Sequence, residues 1–200
     1  VSFSWQKVLG GEGGHGVIIL SPNAIRRLST FYPERPIPKI FRLVKNGRLI
    51  KGVYEGETLN TPSMFCVADA LDSLMWIKEI GGLKETIRRS DKNFECLQGW
   101  VDQTPWIENL VSDPANRSNT SVCLKFSDKR IVSLNKDEQT HFVLKFVELL
   151  EAENTAFDIK GHRNAPPGLR IWCGATVNLD DIQNLLPWLD WCFQEIISTY

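Results

Sequence analysis

Five glycines fall between Gly10 and Gly16, after the β-prone segment Val1-Ser2-Phe3 and directly before the apolar run Val17-Ile18-Ile19-Leu20. Glycine tolerates positive φ and brings no side chain, so the chain can turn sharply here and its backbone can approach a ligand closely. A lysine stands at the mouth of this loop, in Ser4-Trp5-Gln6-Lys7-Val8-Leu9-Gly10-Gly11. Held in a pocket, a lysine can lose its proton and attack a carbonyl. The same spacing also suits a glycine-rich hairpin with a solvated lysine. The run over residues 17–20 reads as a buried strand.

The loop needs sheet neighbours on both sides, and an α/β domain seldom begins with its reactive loop. The expectation is therefore a C-terminal piece of a longer polypeptide. At 200 residues the chain can bury a substantial core. With 23 basic and 24 acidic residues its formal net charge is -1, so no overall field favours nucleic acid or an anionic membrane, and any anion site must be local. Five separated cysteines without a CxxC pair read as reduced thiols of a cytoplasmic protein. No apolar run approaches the roughly 18 to 20 residues of a membrane helix. The three histidines show no metal-ligand spacing, so no metal is expected.

Ser21-Pro22-Asn23 opens a short helical pattern over 24–28, and Asn46-Gly47 between apolar and basic residues signals a hairpin. Thr61-Pro62 has the form of an N-cap and first helical residue. Met64, Val67, Ala68, Leu71, Leu74 and Met75 continue at helical spacing as the expected apolar face. Asn60 and Thr61 beside that helix start would suit a phosphate, although capping alone also explains Thr-Pro. Gly81-Gly82 breaks the helix. A second helix over 83–101 reads as a connector, followed by a strand over 122–126, a helix over 138–152, a strand over 169–177 and a last helix over 180–198 interrupted by Pro187. The fold class is α/β, with residues 1–80 the remainder of a larger domain and 81–200 a small α/β domain.

Arg170 lies between Leu169 and Ile171 at the start of an apolar strand. There its guanidinium must be paired or reach a cleft, where its donor fork suits a carboxylate or phosphate. His162 and Arg163, on a loop bounded by Gly161 and Pro166-Pro167, offer a second anion-binding point. The alternatives are an internal salt bridge for Arg170 and a solvated loop for His162-Arg163. No G-x-S-x-G elbow, Walker loop or dinucleotide fingerprint is present.

In their order, Ser4-Trp5-Gln6-Lys7-Val8-Leu9-Gly10-Gly11, Asn60-Thr61-Pro62, Gly161-His162-Arg163 and Gly168-Leu169-Arg170-Ile171 resemble the phosphoserine aminotransferase family of fold type I pyridoxal-phosphate enzymes, over essentially all 200 residues. The resemblance implies the end of the large domain plus the small domain of that fold. It further implies that Lys7 binds pyridoxal 5'-phosphate covalently, with Gln6 near the cofactor. Asn60 and Thr61 would bind its phosphate, reaching over from the neighbouring subunit of a homodimer. Arg170 would take the substrate α-carboxylate, and His162 and Arg163 the phosphate of phosphoserine or the side-chain carboxylate of glutamate. The implied reaction moves an amino group from L-glutamate to 3-phosphohydroxypyruvate, giving O-phospho-L-serine and 2-oxoglutarate in serine biosynthesis. Alanine-glyoxylate aminotransferase or cysteine desulfurase chemistry is the enzymatic alternative, and a non-catalytic structural fragment is the other. The 200 residues alone are expected to be inactive.

Overall fold

The computed structural model describes residues 1–200. They form two units, Val1–Trp76 and Ile77–Tyr200.

In the first unit, β1 (Ser2–Ser4) and β2 (Gly16–Ile18) pair antiparallel, with Phe3 opposite Val17. A β-carbon at Gly16 would lie 2.7 Å from the Phe3 carbonyl oxygen, so the ribbon closes at this register only with glycine. Residues 17–20 do not form the expected buried strand. β2 is three residues long, and Ile18 and Ile19 are more than half exposed. A two-stranded ribbon has no second layer to cover them. The chain continues into α1 (Pro22–Thr30), where the Ser21 hydroxyl accepts the Ala24 N–H at 3.2 Å and Pro22 occupies the first turn. The hairpin of β3 (Val44–Lys45) and β4 (Arg48–Leu49) turns on Asn46 and Gly47 at φ 52° and 72°. A two-residue I′ turn needs positive φ at both positions.

Helix α2 (Met64–Ile80) begins two residues later than Thr61-Pro62 suggests. Its cap is Ser63, whose hydroxyl accepts the Cys66 N–H at 3.3 Å while its carbonyl accepts from Val67. Pro62 thus precedes the cap, and Thr61 lies outside the helix. The buried stripe of α2 also differs from the expected one. Cys66 and Ala70 are buried, whereas Met64, Leu71, Leu74 and Met75 are each more than half exposed. Small side chains at a spacing of four let another backbone come close to the helix, and the glycine loop lies there.

In the second unit, Gly81 and Gly82, at φ 118° and 75°, separate α2 from α3 (Gly82–Gln103). Strands β5 (Ile107–Asn109), β6 (Ser121–Phe126) and β7 (Leu169–Trp172) form one antiparallel sheet in that order. Between β6 and β7 run a short α4 (Lys129–Val132) and α5 (Lys136–Ala152), and α6 (Leu179–Ile197) follows β7 and passes through Pro187. The period-2 pattern of β6 and β7 buries Val122, Leu124, Phe126, Leu169 and Ile171 on one face. These join Leu97 of α3, Phe142 and Phe146 of α5 and Leu189 and Phe193 of α6 in one core. Trp106 stacks on Phe193 with ring centroids 4.2 Å apart. Helix α3 is therefore a core helix of this unit, not a connector. β7 stops at Trp172, short of the expected residue 177, because Gly174 carries the backbone across the Trp172 ring and into a turn closed by Val177 N–H to Gly174 C=O.

Helix α5 begins at Lys136 on a capping box. The Asn135 side chain accepts from Asp137 and Glu138 N–H, and the Glu138 carboxylate accepts from Asn135 N–H. No helix is long and apolar enough to cross a membrane.

Candidate functional site

The lysine loop of the first unit is a built turn. Gly10 N–H donates to the Lys7 carbonyl at 3.0 Å, Gly11 N–H to Trp5 at 2.9 Å and Trp5 N–H to His15 at 3.2 Å. Gly10 adopts φ 64°, and the Trp5 and His15 rings stack 5.3 Å apart. Leu9 is buried, and its carbonyl accepts the Ser73 hydroxyl of α2. Cys66 presents its thiol to the Glu12 carboxylate at 3.7 Å. Two polar contacts thus moor the loop to α2, one on each side of Gly10-Gly11.

Lys7 itself is exposed and makes no ion pair or side-chain hydrogen bond. Within this chain the glycines shape the turn while the amine stands free. Gln6 is exposed as well, its backbone N–H donating to the Ser4 hydroxyl at 3.0 Å. Asn60 and Thr61, also exposed and without side-chain partners, lie on the segment entering α2. Three cavities of this unit, of about 440, 510 and 730 Å³, are lined by residues between Arg27 and Leu59, and Lys7, Asn60 and Thr61 line none of them. The mooring residues Ser73, Cys66 and Glu12 escape a reading of the sequence. The available signal is the small-residue stripe at 66, 70 and 73, which large apolar neighbours on α2 obscure.

In the second unit, Arg170 sits on β7 opposite Cys123 of β6, on the sheet face away from the helical core. Its Nη2 lies 3.4 Å from the Asp158 carboxylate, and the Asp158 side chain is 90% exposed. This salt bridge is long and solvated, of the kind worth about 0–1 kcal/mol, so the guanidinium remains able to take another carboxylate. The Arg170 backbone is fixed more firmly, its N–H donating to the Ile159 carbonyl at 2.7 Å.

The loop carrying His162 and Arg163 is closed at its base by Gly161 N–H to the Gly168 carbonyl at 2.9 Å. Ala165 N–H donates to the His162 carbonyl at 2.8 Å, and His162 Nδ1 accepts from Asn164 N–H at 3.3 Å. That contact places the proton of the neutral ring on Nε2. His162 and Arg163 line a cavity of about 190 Å³, and Arg170 does not. The fold therefore gathers His162 and Arg163 at one place and holds Arg170 at another, on the open face of the sheet. Burial pushes the Cys173 and Cys192 thiols up to about 12, which removes both as nucleophiles. No group of three or more His, Cys, Asp or Glu is arranged to hold a metal ion.

No family model matches the chain. The phosphoserine aminotransferase of Methanosarcina mazei is 45% identical over 193 residues, a match covering 96% of this chain and 50% of the relative. A PLP-bound phosphoserine aminotransferase from Trichomonas vaginalis superposes on 69% of this chain and 36% of its own at a TM-score of 0.57 and 22% identity. Another phosphoserine aminotransferase, solved in a study of radiation damage to its Schiff base, matches 97% of this chain and 47% of its own at a TM-score of 0.69 and 17% identity. The chain spans about half the length of the curated relatives it matches. Over that half the chain is similar in sequence to the phosphoserine aminotransferases, and it shares the fold of the solved ones.

Proposed function

We propose that this chain is the lysine-bearing half of a phosphoserine aminotransferase, with pyridoxal 5'-phosphate as cofactor. The whole protein would move an amino group between L-glutamate and 3-phosphohydroxypyruvate, giving O-phospho-L-serine and 2-oxoglutarate in serine biosynthesis. The observation that carries this reading is the 45% identity to the Methanosarcina mazei relative across 193 residues. It supports this reading over alanine-glyoxylate aminotransferase or cysteine desulfurase chemistry. The donor set fits the cofactor. Lys7 offers a primary amine with no competing partner, and Asn60 and Thr61 offer an amide and a hydroxyl with no protein partner. When bound, pyridoxal phosphate supplies an electron sink for the charge left at the substrate Cα.

The residues of the chain would divide the remaining work. Lys7 would hold the cofactor through its amine, and that amine, once released, would take and return the proton at the substrate Cα. Ser73 and Cys66 keep the loop, and with it the lysine, in place on α2. Arg170 orients the substrate by its α-carboxylate, exchanging the weak Asp158 contact for a charge-assisted pair. His162 and Arg163 receive the other anionic end. Asn60 and Thr61 act across a homodimer interface, and the enzyme works in the cytoplasm.

A chimera tests this reading: the chain replaces the matching half of the Methanosarcina mazei relative, and amino transfer from glutamate to 3-phosphohydroxypyruvate is compared with transfer to glyoxylate. The expected outcome is a strong preference for the phosphorylated acceptor, abolished in Lys7→Ala. Equal use of both acceptors would overturn the substrate assignment, and an unaffected Lys7→Ala the assignment of the lysine.

A further inference from the structure

The first unit concentrates positive charge on a stretch that amino transfer does not use. Eight of the 23 basic residues of the chain and one of its 24 acidic residues lie between Arg26 and Lys51. All eight are exposed and none makes an ion pair, whereas the four ion pairs of the chain lie in the second unit. The hairpin at the centre of the stretch even sets like charges against each other. Lys45 of β3 stands directly opposite Arg48 of β4, a pairing that repulsion disfavours. A phosphate between them would turn that repulsion into two charge-assisted contacts.

Exposed aromatic rings are interleaved with these cations. Tyr32 and Phe41 are 76% and 68% exposed and make no contact with another ring or a cation, whereas Phe31 is covered by Arg27 at 4.3 Å. The Tyr32 hydroxyl reaches the hairpin turn, where a β-carbon at Gly47 would stand 3.4 Å from it. Both free rings line the cavity of about 440 Å³ together with Arg27 and Arg42. The cavity of about 730 Å³ adjoins it at Arg42, and the one of about 510 Å³ adjoins that in turn at Lys45. Glu57 is the one carboxylate that lines any of the three. A row of cations calls for anions spaced along a chain, and free ring faces call for flat apolar groups. Single-stranded nucleic acid offers both. A duplex keeps its base faces within its own stack, and a sulfated polysaccharide has no such faces.

We propose that the exposed surface between Arg26 and Lys51 binds single-stranded nucleic acid without regard to sequence, holding phosphates on the hairpin cations Lys45 and Arg48 and stacking bases on Tyr32 and Phe41. This activity is separate from amino transfer, since none of these residues belongs to that site.

The test is fluorescence anisotropy of a labelled oligouridylate of about 12 nucleotides, inside the roughly 4–16 that such surfaces occupy, over a series of salt concentrations. It is run on the 200-residue chain and on the chimera with the Methanosarcina mazei relative, after thermal melts show that each variant remains folded. Tyr32→Ala and Phe41→Ala are each expected to weaken binding about tenfold, as for loss of one stacked base, and Tyr32→Phe, which keeps the ring, to leave it unchanged. Lys45→Gln and Arg48→Gln are each expected to flatten the slope of log K against log salt by about 0.7. Lys84→Gln on α3 is the control and changes neither. If both alanine variants bind as tightly as the unsubstituted chain, or if a DNA duplex or heparin binds as tightly as the oligouridylate, the surface is a general polyanion patch and the proposal is wrong. Unchanged salt slopes in both hairpin variants refute the placing of the phosphates. Absence of binding by the chimera refutes the proposal as well, because the matching half then covers this surface.

Discussion

Gly168 lies with its backbone directly against the carbonyl of Leu124, so close that a β-carbon at this position would overlap that oxygen. The contact sits where the His162-Arg163 loop joins the sheet, since Leu169, the next residue, pairs opposite Leu124 across β6 and β7. The carbonyl of Gly168 accepts from Gly161 and closes the same loop from the other side. One glycine therefore fixes both the edge of the sheet and the base of the loop.

Gly168→Ala is expected to lower stability by about 1–3 kcal/mol, the range for forcing an added methyl into a packed place. Backbone stands on the far side of the contact and cannot rotate away as a side chain would. In a thermal melt this corresponds to a fall of about 2–4 °C per kcal/mol for a chain of this size. A melt unchanged from the unsubstituted chain would show that the sheet edge yields freely.

A second expectation concerns Asn93, a 1% exposed residue on the core side of α3. Its Nδ2 donates to the Val177 carbonyl at 2.9 Å and lies within 3.3 and 3.5 Å of the Cys173 and Gly174 carbonyls. The amide thus gathers the turn that ends β7. Asn93→Ala removes this donor from the Val177 and Cys173 carbonyls at about 1–3 kcal/mol, while the Gly174 carbonyl keeps Val177 N–H, and it also opens a cavity. Denaturant unfolding is expected to show a lower midpoint with an unchanged slope. A change of slope instead would place the effect in the unfolded ensemble.

The sequence pattern is most legible where local chemistry alone decides the structure. Asn46-Gly47 makes its turn because both positions need positive φ, and Gly81-Gly82 ends α2 for the same reason. Leu97, Phe142 and Phe193 face the core as their helical spacing demands. The pattern misleads where a contact distant in sequence decides. Met64, Leu71 and Met75 of α2 look like a core face, yet the glycine loop reaches α2 at Cys66, Ala70 and Ser73, where only small side chains admit it. Likewise Thr61-Pro62 has the composition of a cap, but Ser63 has the hydroxyl at the position that reaches a free N–H. For the site, the anion-binding character of His162-Arg163 could be read directly. The mooring of the lysine loop could not, because Glu12 meets Cys66 and Leu9 meets Ser73 only once the loop reaches α2 in three dimensions.

The buried thiols give a pH dependence. Cys173 and Cys192 are raised to about 12 from an ordinary 9.0, chiefly by burial, with Cys96 adding to the shift at Cys173 and Glu195 at Cys192. Between these values the unfolded chain releases a proton that the folded chain retains, so stability is intact below pH 9 and falls as pH rises toward 12. The slope is about 1.4 kcal/mol per pH unit for each thiol. Cys173→Ala and Cys192→Ala are each expected to flatten the alkaline limb of a stability-against-pH curve measured by urea unfolding. An identical limb in both variants would assign the alkaline loss to other groups.

Asp158 offers a contrast in which little change is expected. Its contact with Arg170 is 3.4 Å long and almost fully solvated on the Asp158 side, so Asp158→Asn, which removes the charge and suits the φ of 54° at this position, is expected to alter stability by no more than about 0.5 kcal/mol. Removing this competitor leaves the Arg170 guanidinium more available, and the chimera's KM for glutamate is expected to hold or fall. A rise in KM would mean that Asp158 positions Arg170 for its substrate.

The hydrogen bond from Ser73 to the Leu9 carbonyl is a mooring of the lysine loop that can be cut without touching the lysine. Ser73→Ala removes one donor worth about 1 kcal/mol net while keeping the small stripe that lets the loop approach α2. The effect should be local, because Leu9 remains buried and Cys66 still meets Glu12. Hydrogen exchange at Gly10 and Gly11, whose N–H groups close the turn onto Lys7 and Trp5, is expected to quicken about fivefold as the loop opens more often, with core amides of β6 unchanged. If Gly10 and Gly11 exchange at their original rates, the loop is held by its internal hydrogen bonds, and α2 is a neighbour rather than its anchor.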